Sequence, residues 1–380
     1  MAASVSPPRG VLLVGGVPLT NAEQVFRAAG AILGHHLRRI PDGETGERTI
    51  WAAFQLPMLA RNPAFQSRGM GVVRAILRGY SRSRLVRRLV NAAVVRFTAN
   101  APGSGSMLRV RPGVSSADIR LGPLGYAVAA GESFAIFGRL KQAGMLPDRM
   151  RFQVCLPTPI AVVSAFPPEQ QPLVLPAYEA RLGHEIDEML ATIPADQLAI
   201  QWDAAIEFAL LEGVVPSPYG SPDSSRAPLL DTMVRLGNRV PAGVELGYHL
   251  CYGDAGHKHF TEPADTSKLL DVANYVASNI RRPLNWIHFP VPIGRVDDAY
   301  YAPLRQLHLP AQTELYAGLV HLADGIEGTL RRIEAAQRAI DRGFGIATEC
   351  GLGRRDPHTI PDLLRLHTQL ASPLAQPVPA

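Results

Sequence analysis

Residues 244–251 read VELGYHLC, and this stretch sets the pattern that decides the fold. Apolar residues fill a run of strand length, a histidine and a cysteine stand at its end, and an amphipathic helical stretch from Glu262 to Val276 follows. The same succession of a short apolar run, a polar or glycine-rich cluster and a helical pattern recurs along the chain. Such alternation predicts an α/β fold built from βα units.

Eight runs of this kind are present, at residues 10–17, 36–40, 150–156, 197–202, 244–250, 284–289, 315–321 and 344–348. Eight βα units predict a single-domain (β/α)₈ TIM barrel over residues 10–370, with an insertion at about residues 52–116 after the second strand. Residues 1–9 and 371–380 are predicted to be flexible tails. A doubly wound open sheet is the alternative, but the turn from Val14 to Leu19 lacks the glycine fingerprint of a dinucleotide-binding fold.

The composition excludes several classes of protein. The chain has 380 residues, 47% of them hydrophobic and 19% charged, so it can bury a large core. Its apolar stretches are too short or too charged to cross a membrane, and no basic region followed by a long apolar one marks the N-terminus. We therefore expect a cytoplasmic protein with no membrane partner. Three cysteines are too few for a disulfide framework.

The net charge of +5 comes mainly from arginine, and arginines cluster between Arg61 and Arg96. The cluster fits either a phosphate or polyanion site or the solvated face of an amphipathic helix. No series of aromatic residues for base stacking accompanies it. No nucleic-acid partner is therefore predicted.

Polar side chains stand at the ends of the predicted strands, where a barrel places its active site. His249 and Cys251 are two positions apart on one strand, so both side chains leave the same face. Cys350 ends the eighth strand and His288 the sixth, and all four should meet at the barrel mouth. Two nitrogen and two sulfur ligands favour Zn²⁺. The alternative is that the cysteines are small buried hydrophobes and the histidines satisfied polar groups.

Two further pairs of residues are candidates for contact with a substrate. Glu44 and Asp203 are carboxylates at strand ends, suited either to hold a substrate ammonium group or to form salt bridges with arginines. His321 and Asp324 form a candidate proton-donating pair, unless Asp324 caps the helix that begins near Gly325.

Other residues near strand ends give weaker signals. Cys155 has apolar neighbours and is predicted to be a core residue, whereas His257 and His259 lie in a loop and are predicted to be beside the site or exposed to solvent. Glycine-rich loops after the seventh and eighth strands leave a phosphate site open, because Arg354 and Arg355 would attract a phosphate although nearby acidic residues would repel it.

Five short motifs follow one another along the chain: Val14-Gly15-Gly16-Val17-Pro18, Asp42-Gly43-Glu44, the strand end at Asp203, His249-Leu250-Cys251-Tyr252 and Glu349-Cys350-Gly351-Leu352. Their order resembles the catalytic barrel of cobalamin-independent methionine synthase, over roughly residues 10–370. The superfamily also contains uroporphyrinogen decarboxylase and zinc-dependent alkyl transferases that act on thiols. The most specific part of the resemblance is the His-x-Cys motif with a distant Cys-Gly.

The resemblance implies a set of ligands and a reaction. Zn²⁺ would be held by His249, Cys251 and Cys350 and would lower the pKa of a bound thiol, whose thiolate attacks a methyl or other alkyl carbon. Glu44 and Asp203 match the positions that hold the amino group of homocysteine in the family.

The remaining implied roles come with departures from the family pattern. The turn at Gly15 and Gly16 would contact the substrate, and His321 would donate a proton. His288 stands where the synthase has a ligating glutamate, Gly16 replaces a serine, and Asp203-Ala204-Ala205 replaces an Asp-Glu-Pro motif. The N-terminal barrel of the full-length synthase is absent. These changes predict a different donor or acceptor, and not a housekeeping methionine synthase.

The sequence therefore predicts a zinc-dependent transferase that moves a methyl or small alkyl group to a thiol, with a small-molecule thiol and an alkyl donor as its partners. One alternative is a lyase or decarboxylase on the same barrel. Another is a non-catalytic protein that binds one-carbon units or metal. The sequence carries no signal for the oligomeric state.

Overall fold

A computed structural model of the protein describes residues 7–67, 106–254 and 258–374. Its main element is a curled parallel sheet of seven strands in the order β1-β4-β5-β6-β7-β8-β9. A separate antiparallel pair, β2 and β3, lies in the predicted insertion. The strands are β1 (Arg39–Pro41), β2 (Phe65–Ser67), β3 (Leu108–Val110), β4 (Arg151–Pro157), β5 (Leu198–Ala204), β6 (Glu245–Leu250), β7 (Trp286–Pro290), β8 (Glu314–Gly318) and β9 (Gly345–Ile346).

Helices alternate with the strands of the parallel sheet, as the sequence pattern predicts. They are α1 (Ala22–Leu33), α2 (Leu56–Leu59), α3 (Tyr126–Gln142), α4 (Pro159–Val163), α5 (Gln171–Thr192), α6 (Ile206–Leu211), α7 (Pro222–Arg239), α8 (Ser267–Asn279), α9 (Asp298–Tyr301), α10 (Gly325–Gln337) and α11 (Ile360–Leu370). Asn21 begins α1, because its side chain accepts a hydrogen bond from the Gln24 amide. None of the helices in the described ranges is long and apolar enough to span a membrane.

The first predicted strand lies between the two edges of the sheet. Val11 forms parallel bridges with Leu37 on one side and Ile346 on the other. Its amide donates to the His36 carbonyl at 2.8 Å, and the Ile346 amide donates to the Gly10 carbonyl at 3.1 Å. These contacts involve too few residues to form a regular strand. They nevertheless connect the segment just before β1 to β9.

The described parts of the predicted tails are hydrogen-bonded to the sheet edge and to each other. Arg9 bridges Ser372 in parallel, and the Ser372 amide donates to the Pro8 carbonyl at 2.8 Å. The Leu374 amide donates to the His35 carbonyl at 3.0 Å. Residues 7–9 and 371–374 therefore extend the ordered structure beyond the predicted limits of the domain.

A buried ion cluster lies at the amino ends of the strands. Arg39 is 1% exposed, and its guanidinium donates to Glu245 and Glu314, each at 2.9 Å. The same group stacks 4.1 Å from the centre of the Trp286 ring. Two carboxylates and an aromatic face offset the cost of burying this charge. The cluster fills the sheet interior at the end opposite to the strand-end residues discussed below.

Gly247 provides a test of this packing. A Cβ at this position would lie 2.0 Å from two ring atoms of Trp286, which is fully buried and cannot move aside. We expect Gly247→Ala to lower the free energy of unfolding by about 3 kcal/mol, as measured by urea denaturation. Gly138→Ala is the matched control, since a Cβ there meets nothing within 4 Å and alanine favours the helix. Equal stability of the two variants would contradict the packing described here.

Candidate metal centre

One cavity lies at the carboxyl ends of the parallel strands. Of the ten residues predicted to bind metal or substrate or to donate a proton, seven line it: Gly15, Gly16, Glu44, Asp203, His249, Cys251 and Cys350. They lie far apart in the chain, and the parallel sheet brings them together because all its strands end at the same side. Among the described residues, His288, His321 and Asp324 do not line this cavity.

His249, Cys251 and Cys350 form a group with the spacing of a metal site. One ligand atom from each lies within 4.8 Å of the others. The two sulfur atoms are 3.7 Å apart, and the Gly253 amide also donates to the Cys251 sulfur at 3.3 Å. The hydrogen bond between the two sulfur atoms lowers the pKa of Cys251 well below its usual range and raises that of Cys350. A cysteine whose pKa is lowered ionises more readily, and a thiolate attracts a cation.

An unsatisfied polar atom supports the same interpretation. His249 is 3% exposed, and its Nε2 has no hydrogen-bond partner among the described residues. A buried nitrogen without a partner costs free energy unless a ligand satisfies it. An imidazole nitrogen beside two cysteine sulfurs is a donor set that suits Zn²⁺. The residues therefore fit the ion that the sequence predicts.

His288 lies behind His249 and does not face the sulfur atoms. Its Nδ1 is 2.7 Å from Nδ1 of His249, and its Nε2 is 3.0 Å from the Thr348 carbonyl oxygen. Burial lowers the pKa of His288 well below its usual range, so the ring is neutral. A neutral ring that donates from Nε2 to a carbonyl must accept at Nδ1. Both nitrogens are thus engaged, and His288, predicted as a fourth ligand, does not join the group formed by His249, Cys251 and Cys350.

Glu44 and Asp203 are buried carboxylates in the wall of the cavity. Asp203 is 6% exposed and accepts hydrogen bonds from Gln201 at 2.8 Å and from the Trp51 indole at 3.3 Å. Glu44 has a left-handed backbone with φ of 48°, which directs its carboxylate against the Gly15 turn. Burial, reinforced by the charge of Asp203, raises the pKa of Glu44 to about 8, and burial raises that of Asp203 to about 7.

Burial raises both pKa values although Arg48 acts to lower that of Glu44 and His249 acts to lower that of Asp203. The sequence left open a salt bridge between these carboxylates and an arginine. The nearby Arg48 instead donates to Asp42, at 2.6 Å. A cationic group placed between Glu44 and Asp203 would lower both pKa values and be held by charge-assisted hydrogen bonds.

His321 and Asp324 have separate partners in the structure. Both oxygens of Asp324 accept from Arg332, at 2.6 and 2.9 Å, so its side chain neither pairs with His321 nor caps α10. His321 donates from Nε2 to the Val291 carbonyl at 2.9 Å, and its Nδ1 lies 3.5 Å from Glu349. Burial lowers the pKa of His321 to about 4. The predicted pair is therefore replaced by one between His321 and Glu349, because Arg332 neutralises Asp324.

Cys155 is buried below the cavity, and its thiol donates to the Val14 carbonyl at 3.2 Å, as expected for a core residue. The His259 side chain is 4% exposed and lies beside Glu262 at 3.2 Å and Glu349 at 3.3 Å. His257 and the arginines between residues 68 and 96 lie outside the described residues.

Three cavity residues with polar or aromatic side chains have no signal in the sequence pattern: Thr49, Trp51 and Asp254. Trp51 is the clearest case, because it has a left-handed backbone with φ of 45° and reaches Asp203 from the start of the predicted insertion. A strained non-glycine residue is often found where a side chain must be held in place. Only the three-dimensional structure shows this contact.

Solved structures that are similar to this chain include the following two. One is a B12-independent methionine synthase from Shewanella sp. W3-18-1 in complex with selenomethionine, with 15% identity over 69% of this chain and 68% of that chain and a TM-score of 0.45. The other is a putative vitamin-B12 independent methionine synthase from Listeria monocytogenes, with 12% identity over 81% of this chain and 95% of that chain and a TM-score of 0.45. Both belong to the class that the sequence motifs resemble. No protein-family model and no curated protein sequence matches the chain.

Proposed function

We propose that this protein transfers a methyl or small alkyl group to the sulfur of a thiol, with Zn²⁺ held by His249, Cys251 and Cys350. The observation that carries the proposal is the presence of these three donors in one cavity with two buried carboxylates. When bound, Zn²⁺ lowers the pKa of a coordinating thiol, so that a thiolate is available at neutral pH.

The scaffold proposed for this site is a closed (β/α)₈ barrel. The bridges of Val11 to Leu37 and to Ile346 support closure, because they join the two edge strands through residues 9–12. Closure would place the end of this first strand, at Gly15 and Gly16, directly beside the loop that carries Cys350.

The chain's own residues would bind and orient the substrate. Glu44 and Asp203 would hold an ammonium group of the thiol, since both carboxylates line the cavity and such a group would receive charge-assisted hydrogen bonds there. Gln201 and Trp51 hold the Asp203 carboxylate in place by donating to its two oxygens.

The change at Gly16 supports a substrate other than that of methionine synthase. A Cβ at Gly16 would lie 3.4 Å from the Gly353 backbone and 3.4 Å from the Glu44 carboxylate. A Cβ there would touch both groups at about van der Waals distance, and glycine leaves this part of the cavity without the hydroxyl that the family places there.

Alkyl transfer by the zinc-loaded protein tests the proposed function. Purified protein is assayed with homocysteine and other thiols against methyltetrahydrofolate and a panel of small methyl donors, and products are identified by mass spectrometry. We expect S-alkylated product with at least one donor, and weak methionine formation from the folate. The Cys155→Ser variant should retain activity, because this thiol is bonded to Val14 away from the other sulfurs. Zinc-loaded protein that alkylates no thiol would contradict the proposal.

His288 is proposed to orient His249 for the metal. Because His288 accepts at Nδ1, the His249 proton is held on Nδ1 and the lone pair of Nε2 is directed to the sulfurs. We expect His288→Ala to weaken zinc binding about 10- to 100-fold, the usual effect of removing such a partner. Competition with a chromogenic chelator measures the dissociation constant.

The matched control is His367→Ala, which removes another buried histidine that contacts a backbone carbonyl, at Leu363. It should leave zinc affinity unchanged. Unchanged affinity in His288→Ala would refute the orienting role. A loss of zinc as complete as that in a cysteine variant would instead identify His288 as a ligand.

A further inference from the structure

Arg354 is the only arginine or lysine that lines the metal cavity in the described part of the chain. Its side chain is 23% exposed, and its Nη1 lies 3.6 Å from the Asp254 carboxylate, which also lines the cavity. The phosphate site that the sequence left open included this residue, and the proposed alkyl transfer gives it no role. The cavity is thus lined by the Arg354 guanidinium, by the metal group (His249, Cys251 and Cys350) and by the carboxylates of Glu44 and Asp203.

The position of Arg354 is fixed by its loop. The Leu352 amide donates to the Gly16 carbonyl at 2.6 Å, and a Cβ at Gly351 would lie 2.9 Å from the Gly16 amide nitrogen. This close backbone contact ties the loop from Cys350 to Arg354 to the first turn. A metal ligand and a guanidinium four residues apart are therefore held on the same wall.

The charges in the cavity are complementary to a molecule that carries one anionic and one cationic group. Arg354 lines the same cavity as Glu44, Asp203 and the three candidate metal ligands, so its positive charge faces the space that a bound thiol would occupy. A guanidinium binds a planar or tetrahedral oxyanion through two parallel hydrogen bonds, and it stays charged at all physiological pH values. A partly enclosed position strengthens such a contact relative to water.

We propose that Arg354 binds an anionic group, a carboxylate or a sulfonate, on the thiol substrate. This inference rests on the proposed function and specifies its substrate class. A thiol with its sulfur at His249, Cys251 and Cys350 would place its anionic group at Arg354, and any ammonium group at Glu44 and Asp203.

Thiol binding to the cobalt-loaded protein tests the assignment without turnover. Each thiol is titrated and followed by the sulfur-to-cobalt charge-transfer absorption. The thiols are 3-mercaptopropionate for the carboxylate, 2-mercaptoethanesulfonate for the sulfonate and 2-mercaptoethanol as the neutral reference. We expect at least one anionic thiol to bind about 10-fold or more tightly than the neutral one, and the better of the two identifies the group.

The variants separate recognition from structure. Arg354→Gln should abolish the preference for anionic thiols and leave 2-mercaptoethanol binding within about twofold, whereas Arg354→Lys should restore part of the preference. Arg355→Gln is the matched control, since Arg355 is in the same loop but does not line the cavity. Cobalt stoichiometry and the thermal midpoint confirm that each variant is folded.

Three results would overturn the inference. If thiols bind cobalt without an anionic preference, or if the preference survives Arg354→Gln, Arg354 does not select the substrate and the proposed function stands. If Arg354→Gln weakens all thiols equally, the residue supports the loop through Asp254 and does not bind substrate. If no thiol changes the cobalt spectrum, the proposed function fails together with the inference.

Discussion

Either substitution, Cys251→Ser or Cys350→Ser, is expected to remove nearly all zinc from the purified protein. Each cysteine would supply a thiolate to the ion, and a serine hydroxyl does not ionise at neutral pH to replace it. The remaining two ligands of the group would hold zinc too weakly to survive purification. We expect zinc content, measured by inductively coupled plasma mass spectrometry, to fall at least about 10-fold from about one ion per chain.

Cys155→Ser is the internal control for this experiment. Its thiol is also buried and lies near the cavity, but it donates to a backbone carbonyl and is not in the metal group. It should retain the zinc content of the natural sequence, and circular dichroism should show all three variants folded. Full zinc retention in both Cys251→Ser and Cys350→Ser would exclude the metal centre.

Glu44→Gln is expected to have the second largest effect. This substitution keeps the shape of the side chain and removes the charge that would face a substrate ammonium group. Loss of a charge-assisted hydrogen bond should reduce kcat/KM for homocysteine about 10- to 100-fold. The same variant should change kcat/KM little for a thiol of the same length without the amino group, and steady-state kinetics with the two substrates measures the difference.

Glu207→Gln is the matched control, since Glu207 is a buried carboxylate whose pKa burial raises to about 7 and which does not line the cavity. Glu207→Gln should change kcat/KM by the same factor for homocysteine and for the thiol without the amino group. An equal loss for both thiols in Glu44→Gln would show that Glu44 supports the cavity wall without binding the amino group.

The placement of the metal group follows from rules that act along the sequence. Because side chains alternate between the two faces of a strand, His249 in β6 and Cys251 just after it lie on one face. The parallel strands bring Cys350 to the same side of the sheet. These relations depend on spacing and strand direction, which the sequence pattern carries. The mixed α/β architecture with seven parallel strands follows from the same alternation.

The roles that depend on side-chain partners could not be predicted. Whether His288 faces the sulfurs or His249 depends on the Thr348 carbonyl, which fixes the ring through Nε2. Asp324 forms an ion pair with Arg332, a helical residue eight positions later, so its carboxylate is unavailable to His321. Such choices among nearby partners are decided by three-dimensional distance and burial, and no spacing rule in the sequence expresses them.

Zinc K-edge X-ray absorption, before and after addition of a thiol, tests most directly whether His249, Cys251 and Cys350 hold the ion and leave a position for a substrate sulfur. We expect two sulfur neighbours at about 2.3 Å and at least one nitrogen neighbour at about 2.0 Å in the protein alone. A third sulfur neighbour should be present after the thiol is added. A spectrum with no sulfur neighbours, or a sulfur count that the thiol does not change, would contradict the proposed site.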